Sequence, residues 1–145
     1  MIQPEHESHL NDILDIERRV FSKPWTRKQL QNDLVLGANS ENWVYMEDQQ
    51  VAGYILEWKV MDEFHLNNIA VHSDFQRRHI GRSLIEHVKN HLQSQNIQRI
   101  YLEVSEKNKS TQRKQCIKSI FRPIPLFMQG VPRFENKIRL FCKQV

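Results

Sequence analysis

The sequence predicts a mixed α/β (α+β) domain, in which an antiparallel hairpin precedes a strand–helix–strand crossover. Apolar residues recur at helical spacing in some stretches and form short β-branched and aromatic runs in others. Over residues 64–104 a strand-like run, a helical stripe and a second run follow one another, which is the order of a crossover. The 145 residues contain neither repeats nor a linker, so we expect one domain over residues 1–145.

Two helices are predicted ahead of the hairpin. An amphipathic helix over residues 6–21 is indicated by apolar side chains at helical spacing: Leu10, Ile13, Leu14, Val20 and Phe21. The segment Ser22-Lys23-Pro24-Trp25 ends this helix. Thr26 is then a typical N-cap for a short helix over residues 27–36, which Gly37 ends.

The hairpin is predicted over residues 42–46 and 51–60, with Glu47-Asp48-Gln49-Gln50 as its turn. A third strand covers residues 64–71, where the apolar positions resume. The crossover helix over residues 81–95 is indicated by a stripe that shares helical spacing: Ile80, Leu84, Ile85, Val88 and Leu92.

The C-terminal third of the chain has weaker patterns. A fourth strand is predicted over residues 97–104, and residues 108–119 are weakly helical. After three prolines, only residues 138–142 have the pattern of a further strand.

Composition argues against several other classes of protein. No apolar run reaches the roughly 18 residues of a membrane span, and the polar residues 1–11 contain no signal-peptide core. The two cysteines, Cys116 and Cys142, are too few for a disulfide framework. No Cys-x-x-Cys or His-x-x-x-His pair near them indicates a zinc site. We therefore expect a cytoplasmic protein with reduced thiols, no metal and no membrane association.

Positive charge is concentrated at the C-terminal end. Residues 107–145 hold ten Lys or Arg and one acidic residue, Glu135, although the net charge of the whole chain is only +4. Such a segment suits a polyanionic neighbour, for example coenzyme phosphates, RNA or a ribosomal surface, or it is a solvated basic face. It has no aromatic-plus-basic stacking motif, so direct nucleic-acid binding is not expected.

The stretch with the most chemical information is a strand that enters a polar, Arg-rich loop, which opens into a helix. The first N–H groups of a helix have no partner within it and carry partial positive charge, so they can bind an anion. Gly81 at that point lets a phosphate approach the backbone, and Arg77, Arg78 and Arg82 add charge. The pattern predicts a pyrophosphate cradle, although a solvated loop before a surface helix has the same pattern.

The same stretch resembles the coenzyme A-binding motif of the GNAT acetyltransferase superfamily, Gln/Arg-x-x-Gly-x-Gly/Ala, with Gln76 first and Gly81 last. The resemblance extends over residues 10–112 and includes several segments in register: Ser22-Lys23-Pro24-Trp25-Thr26, Gly53-Tyr54-Ile55-Leu56, Asp62 to His72 and Leu102-Glu103-Val104. These segments resemble the bacterial Rim-type ribosomal-protein-alanine N-acetyltransferases more than other branches. The resemblance implies the GNAT fold, a mostly antiparallel central sheet with a splay between two strands, flanked by helices.

The resemblance also implies a role for individual residues. The backbone of Ile69-Ala70-Val71 would hold the pantetheine arm of acetyl-coenzyme A, and Asn108 would lie near its thiol end. The residues implied for the pyrophosphate form one run: Gln76, Arg77, Arg78, His79, Ile80, Gly81 and Arg82. Glu103 matches the general base, which is needed because an ammonium must lose a proton before it attacks a thioester. By its pattern alone, Glu103 is equally a surface carboxylate.

Two positions depart from the family pattern. His79 stands where the motif has its first glycine, and a positive φ there is less easy for histidine than for glycine. The family's general-acid tyrosine is replaced by Cys116 when Phe121 is aligned with the family phenylalanine, or by Gln115 in an ungapped count. Cysteine is a weak donor that can give a proton, whereas glutamine cannot act as an acid. Residues 113–133 diverge from the pattern.

The resemblance implies an acetyl-coenzyme A-dependent N-acetyltransferase that acts on a protein N-terminus, with the N-terminal alanine of a small-subunit ribosomal protein as the expected acceptor. Two alternatives stay open. One is a GNAT enzyme that acetylates a small-molecule amine. The other is a catalytically weakened relative that binds coenzyme A or a partner, which the divergence over residues 113–133 would explain.

Overall fold

The computed structural model describes residues 1–35, 40–61, 63–95 and 99–102. In that part of the chain, strands and helices follow in this order: β1 (Ile2–Pro4), α1 (Leu10–Val20), α2 (Arg27–Val35), β2 (Trp43–Glu47), β3 (Gln50–Val60), β4 (Glu63–Val71), α3 (Ile80–Ser94) and β5 (Arg99–Leu102). Short 3-10 turns precede α1, at Glu7–His9, and follow β4, at Ser73–Phe75.

The strands form one sheet in the order β1-β2-β3-β4-β5. The first four are antiparallel to their neighbours, and β5 runs parallel to β4 after the crossover through α3. Asp48 and Gln49 join β2 to β3 with φ angles of 49° and 65°, which is the left-handed geometry of a tight hairpin turn. The predicted hairpin, crossover and mostly antiparallel sheet are confirmed.

The sequence prediction was wrong about the N-terminus, because it placed no strand there. β1 pairs antiparallel with β2, from Ile2 opposite Tyr45 to Pro4 opposite Trp43. Three residues are too few to show alternation, and Pro4 lies on an edge strand, where a proline removes no inner hydrogen bond. The predicted helix 6–21 starts as a 3-10 turn and is α-helical only from Leu10.

Several other predictions lie wholly or partly outside the described residues. Of the strand predicted over 97–104, the described part is Arg99–Leu102. The helix predicted over 108–119 and the strand predicted over 138–142 fall in the part of the chain that is not described.

A β-bulge divides β4 into two halves. Leu66 pairs with Glu57 and Asn68 pairs with Leu56, so Asn67 is an extra residue without a partner on β3. Because side chains alternate along a strand, the extra residue reverses which face each later residue occupies. Phe64 and Leu66 therefore lie on the same face as Ile69 and Val71.

Apolar clusters cover both faces of the sheet. On one face, Leu84, Val88 and Leu92 of α3 belong to a buried cluster with Ile55 and Phe64 of the sheet. On the other face, the apolar side of α1 belongs to a second cluster, which also contains Leu30 of α2 and buried sheet residues: Val44, Val51, Tyr54, Leu56 and Ala70. The central sheet is thus flanked by helices.

Gly53 allows α3 to lie close to the sheet. A Cβ atom at this position would be 3.0 Å from the Ala70 carbonyl oxygen and 3.0 Å from Ile80 Cγ2. Since real Cβ atoms rarely come so close to backbone, any side chain here would push the start of α3 outward. The position of the α3 N-terminus next to the end of β4 therefore depends on this glycine.

Glu57 on β3 is a buried carboxylic acid next to the bulge. Its side chain is fully buried, and Oε1 accepts a hydrogen bond from Trp43 Nε1 at 3.0 Å. Within the described residues, Oε2 has no hydrogen-bond partner. Burial raises the pKa of Glu57 from 4.5 to about 9, with a further contribution from the nearby carboxylate of Glu41.

This shift predicts that stability falls as the pH rises. Because the pKa of Glu57 is higher in the folded than in the unfolded chain, its contribution to stability is full below pH 4.5 and is lost toward pH 9. Glu57→Gln removes the titration and keeps an oxygen for Trp43. Urea unfolding at pH 5, 7 and 9 should therefore give a steeper decline for wild type than for Glu57→Gln. Parallel pH profiles would contradict the assignment.

Candidate active site

On the outer edge of β4 after the bulge, backbone groups point away from β3, and no strand among the described residues pairs with them. The His72 N–H donates to the Ala52 carbonyl at 2.9 Å, and hydrogen-bonded pairs alternate along an antiparallel ladder. Ala70 therefore faces β3, whereas the backbone N–H and C=O of Ile69 and Val71 point to the opposite edge. The described pairing of β5 on that edge ends where Leu102 meets Leu66. In the part of the chain that the structure describes, these outward donors and acceptors have no partner strand, so they suit an extended ligand.

The loop between β4 and α3 has the backbone geometry of an anion site. Arg77 and His79 have φ angles of 65° and 61°, with Arg78 between them at an ordinary φ. Alternation of this kind directs successive N–H groups to one side and forms a concave nest. Within the described residues, the N–H groups of residues 77–82 have no protein acceptor. They lie at the start of α3, so the helix dipole adds to the attraction for an anion.

Gly81 borders this nest. A Cβ atom there would touch only Val71 Cγ2, at 3.5 Å, which is an ordinary contact. Neither a positive φ nor a clash with described residues requires glycine at this position. The open space suits the close approach of a phosphate, so the arrangement fits a pyrophosphate group.

The three arginines of the loop differ in their partners. Arg78 forms an ion pair with Glu47 at the end of β2, at 2.8 Å, and its guanidinium lies 5.2 Å from the centre of the Phe75 ring. Arg82 pairs with Glu86 one turn along α3, at 3.0 Å. Arg77 is exposed and has no ion-pair partner among the described residues. Arg77 is thus the arginine whose charge is most available to a ligand.

Two side chains fix the loop to the rest of the molecule. Gln76 Nε2 donates to the Val71 carbonyl at 3.2 Å, which closes the loop onto the end of β4. His72 Nδ1 accepts from the Asp74 N–H at 3.2 Å, and His72 Nε2 lies 3.4 Å from Asp15 on α1. Gln76 therefore shapes the nest through the backbone of Val71.

On the α1 side of the sheet, a buried polar cluster lies directly behind the bulge. Oε1 of Glu17 accepts a hydrogen bond from Asn68 Nδ2 at 2.7 Å and another from the Tyr54 hydroxyl. Its other oxygen accepts from the Trp25 N–H at 2.7 Å. Glu17 and Tyr54 are both fully buried, and burial together with the neighbouring carboxylate raises the pKa of Tyr54 well above its usual value.

The structure brings together one part of the predicted site. Residues 69–71 and 76–82 are contiguous in space, from the edge of β4 to the first turn of α3. Ala70 lies between the two outward-facing residues and directs its own backbone groups to β3. Glu103, Asn108 and Cys116 lie outside the described residues, so their predicted roles stay predictions.

The sequence analysis assigned no role to the Glu17 cluster. Two signals in the sequence indicate it. Glu17 occupies an apolar position of the α1 stripe, between Ile13 and Val20, where a carboxylate needs internal partners. In β4 the apolar residues are spaced 64, 66, 69 and 71, and the step of three marks the bulge.

Comparison with known proteins identifies the family. The sequence profile described as the Acetyltransferase (GNAT) family matches residues 10–113. The chain belongs to the GNAT family of acetyltransferases. The first of the predicted coenzyme-contacting segments, at the end of β4, and the loop that follows it both fall inside the matched range.

Individual relatives are consistent with the family. A curated relative from Salmonella typhimurium, named [ribosomal protein bS18]-alanine N-acetyltransferase, is 34% identical over 96 residues, which cover 64% of this chain. The chain spans 62% of the length of that relative. The crystal structure of the ribosomal-protein-S18-alanine N-acetyltransferase from Escherichia coli is 27% identical, with a TM-score of 0.77, and the match covers 83% of this chain and 76% of that one.

A more distant structure has the same fold. The PaiA N-acetyltransferase from Thermoplasma acidophilum, crystallised in complex with coenzyme A, has a TM-score of 0.71 at 14% identity. The match covers 82% of this chain and 87% of that chain. Among the residues described in our structure, no helix has the length and apolarity to cross a membrane, and no three His, Cys, Asp or Glu converge as metal ligands.

The left-handed backbone at position 79 predicts an unusual pattern of substitution effects. The His79 side chain is exposed, so its replacement tests the backbone alone. His79→Val should lower the free energy of unfolding by about 1–2 kcal/mol, because a β-branched residue is strained at φ 61°. His79→Gly should change it by less than about 1 kcal/mol. Equal losses in the two variants, measured by urea unfolding, would contradict the left-handed conformation.

Proposed function

We propose that this protein transfers the acetyl group of acetyl-coenzyme A to the N-terminal amine of a protein, and that the acceptor is the N-terminal alanine of a small-subunit ribosomal protein in the cytoplasm. The observation that carries the proposal is that outward backbone groups of β4, which no described strand pairs, continue into a backbone anion nest. The two features match the two chemical halves of coenzyme A, an amide-containing arm and a pyrophosphate.

The amide-containing arm suits the edge of β4. Pantetheine carries two amide groups, which can pair with outward N–H and C=O groups like an additional strand. Ile69 and Val71 supply these groups, while the Val71 carbonyl also accepts from Gln76. The pyrophosphate then lies against the N–H groups of residues 77–82, and Arg77 contributes charge.

With the pyrophosphate in the nest and the arm along β4, the proposed position of the thioester is near the bulge. The arm runs from the nest along β4, from Val71 toward Asn68, so its thiol end arrives beside the extra residue Asn67. When coenzyme and acceptor react, the amine nitrogen forms an amide bond with the acetyl carbon and the carbon–sulfur bond breaks. An outward strand N–H suits the carbonyl oxygen as negative charge develops on it.

Proton transfer is assigned to residues beyond β5. Glu103 follows Leu102 directly and serves in this proposal as the general base that removes a proton from the acceptor ammonium. We assign Asn108 to the thiol end and Cys116, in place of the family tyrosine, to proton donation to the leaving thiolate. Water supplies that proton if Cys116 does not, since a free thiol titrates near about 8.5.

The choice of acceptor rests on the named relatives. The Salmonella relative is named as a [ribosomal protein bS18]-alanine N-acetyltransferase, and the Escherichia coli structure as a ribosomal-protein-S18-alanine N-acetyltransferase. The basic segment over residues 107–145 is consistent with a partner that is part of a ribosome, or with the coenzyme phosphates. A small-molecule amine is the alternative acceptor.

Acetyl transfer to a peptide tests the activity. Purified protein should release coenzyme A from acetyl-coenzyme A when a peptide with the N-terminal sequence of ribosomal protein S18 is present, and the peptide mass should rise by one acetyl group. Gly81→Glu places a carboxylate beside the nest and should abolish both coenzyme binding, measured by calorimetry, and transfer.

The other outcomes discriminate between the alternatives. Turnover of a polyamine or an aminoglycoside, without turnover of the peptide, would replace the proposed acceptor with a small amine. Micromolar binding of acetyl-coenzyme A without transfer to any amine would indicate a weakened relative. Absence of binding would overturn the coenzyme site itself.

The general base has its own test. Glu103→Gln should lower kcat about 10²- to 10³-fold, because it removes the group that accepts the ammonium proton. The dissociation constant of acetyl-coenzyme A should stay unchanged, since Glu103 is assigned to the acceptor. Glu106→Gln removes the same charge three residues along the chain and is the matched control, with wild-type kcat expected. If Glu103→Gln has the same kcat as Glu106→Gln, Glu103 is not the general base.

A further inference from the structure

We propose that Glu17 is a positioning residue of the transfer site. Its buried carboxylate holds the segment between α1 and α2, residues 21–26, against the bulged part of β4. The carboxylate thereby fixes the width of the opening through which the acceptor amine reaches the thioester. This inference rests on the proposed function and assigns a role to a residue that lies outside the coenzyme-contacting segments.

The geometry of the carboxylate is the first support. Glu17 is fully buried, and its two oxygens accept from different parts of the molecule. One oxygen accepts from the Trp25 N–H at 2.7 Å, and the other from Asn68 Nδ2 at 2.7 Å and from the Tyr54 hydroxyl. A buried carboxylate is strongly unfavourable unless donors satisfy it, so these links hold their partners firmly in place.

The two oxygens of Glu17 contact two different segments, residues 21–26 and the part of β4 next to the bulge. Trp25 ends a segment whose residues Ser22, Lys23 and Pro24 are exposed. Asn68 lies on β4 between the extra residue of the bulge and Ile69, whose N–H points to the open edge. One side chain therefore connects an exposed segment to the part of β4 where the thioester is proposed to lie.

The packing of β4 favours an acceptor path on the α1 side. Ile69 and Val71 pack against the buried cluster beneath α3, so the α3 face of this half of the strand is closed by the core. Asn68 faces the other way, toward Glu17 and Trp25, and its side chain is only partly buried. An amine that approaches the thioester from this side passes the segment that Glu17 holds.

Tyr54 provides a matched control. Its hydroxyl donates to the same Glu17 oxygen and accepts from Asn68 Nδ2 at 3.1 Å, but Tyr54 is fully buried on β3 and belongs neither to residues 21–26 nor to β4. Tyr54→Phe removes one donor and leaves the links from Glu17 to Trp25 and Asn68. Asn68→Leu removes a donor of the same carboxylate, keeps the number of non-hydrogen side-chain atoms, and breaks the link between residues 21–26 and β4. A purely structural cluster would respond similarly to both changes.

The experiment compares the two variants with wild type. At saturating acetyl-coenzyme A, Asn68→Leu should raise the KM for the acceptor peptide about tenfold or more, whereas Tyr54→Phe should change it less than about twofold. Calorimetry should show a dissociation constant of acetyl-coenzyme A within about twofold of wild type for both. Both should lower Tm, because each leaves a buried carboxylate with one donor fewer. Calorimetric titration of the acceptor peptide checks the same difference without turnover.

Three results would overturn the inference. An unchanged acceptor KM in Asn68→Leu, with only a lower Tm, would mean that the cluster is structural. An equal increase in KM for both variants would mean the same. A loss of acetyl-coenzyme A binding in Asn68→Leu would mean that Asn68 acts on the coenzyme.

A fallback variant and the wild-type control complete the design. If Asn68→Leu does not fold, Asn68→Ser is the second variant, because its hydroxyl is too short to reach Glu17 and the same increase in KM is expected. Wild-type protein that transfers acetyl to no amine would refute the proposed function itself, and this inference with it. That outcome is distinct from an active wild type with unaffected variants.

Discussion

The extra residue Asn67 in β4 is the constraint on which the rest of the site depends. If β4 alternated regularly through Asn67 and formed no bulge, Asn68 would turn toward α3 and Ile69 toward α1. Asn68 would then lose Glu17, and the outward backbone groups would fall at other positions. A bulge also bends a strand and interrupts its regular pairing, here between Leu56 and Glu57 of β3.

Buried carboxyl groups in this fold are accommodated in two ways. Burial raises the pKa of Glu57 to about 9 and that of Glu5 to about 7, so each group is more readily neutralised by a proton. Glu17 instead receives three donors from three different elements. Protonation lowers the cost of burying the group and involves no other segment. The three donors of Glu17 connect segments that are distant in the sequence, so we assign a positioning role to Glu17 alone.

The parts of the fold that sequence predicted are those with a strong period. The α1 stripe, the α3 stripe and the long hairpin each extend over several repeats of 3.6 or two residues, so burial determines them. β1 was missed because Ile2–Pro4 is held by edge pairing with β2 and not by a pattern of its own. The bulge was missed because a change of face appears in sequence only as one irregular step, between Leu66 and Ile69.

The candidate site was predictable to a similar extent. A motif of fixed spacing marked residues 76–82, because it reflects a loop of fixed backbone shape. Glu17 and Asn68 lie 51 residues apart and meet only through the packing of α1 on the sheet, so no local pattern connects them. Contacts of this kind depend on tertiary structure, and a single buried carboxylate on an apolar stripe is the most that sequence shows of them.

His79 shows what the loop requires of its sequence. The family motif has glycine at this position, and the structure explains the preference, because φ is 61° there. Two of the three arginines are engaged with Glu47 and Glu86, whereas the backbone N–H groups of residues 77–82 have no acceptor among the described residues. The direction of those N–H groups depends on the φ angle and not on the side chain. Histidine, which tolerates left-handed backbone better than most residues, therefore changes the side chain of the cradle and preserves its shape.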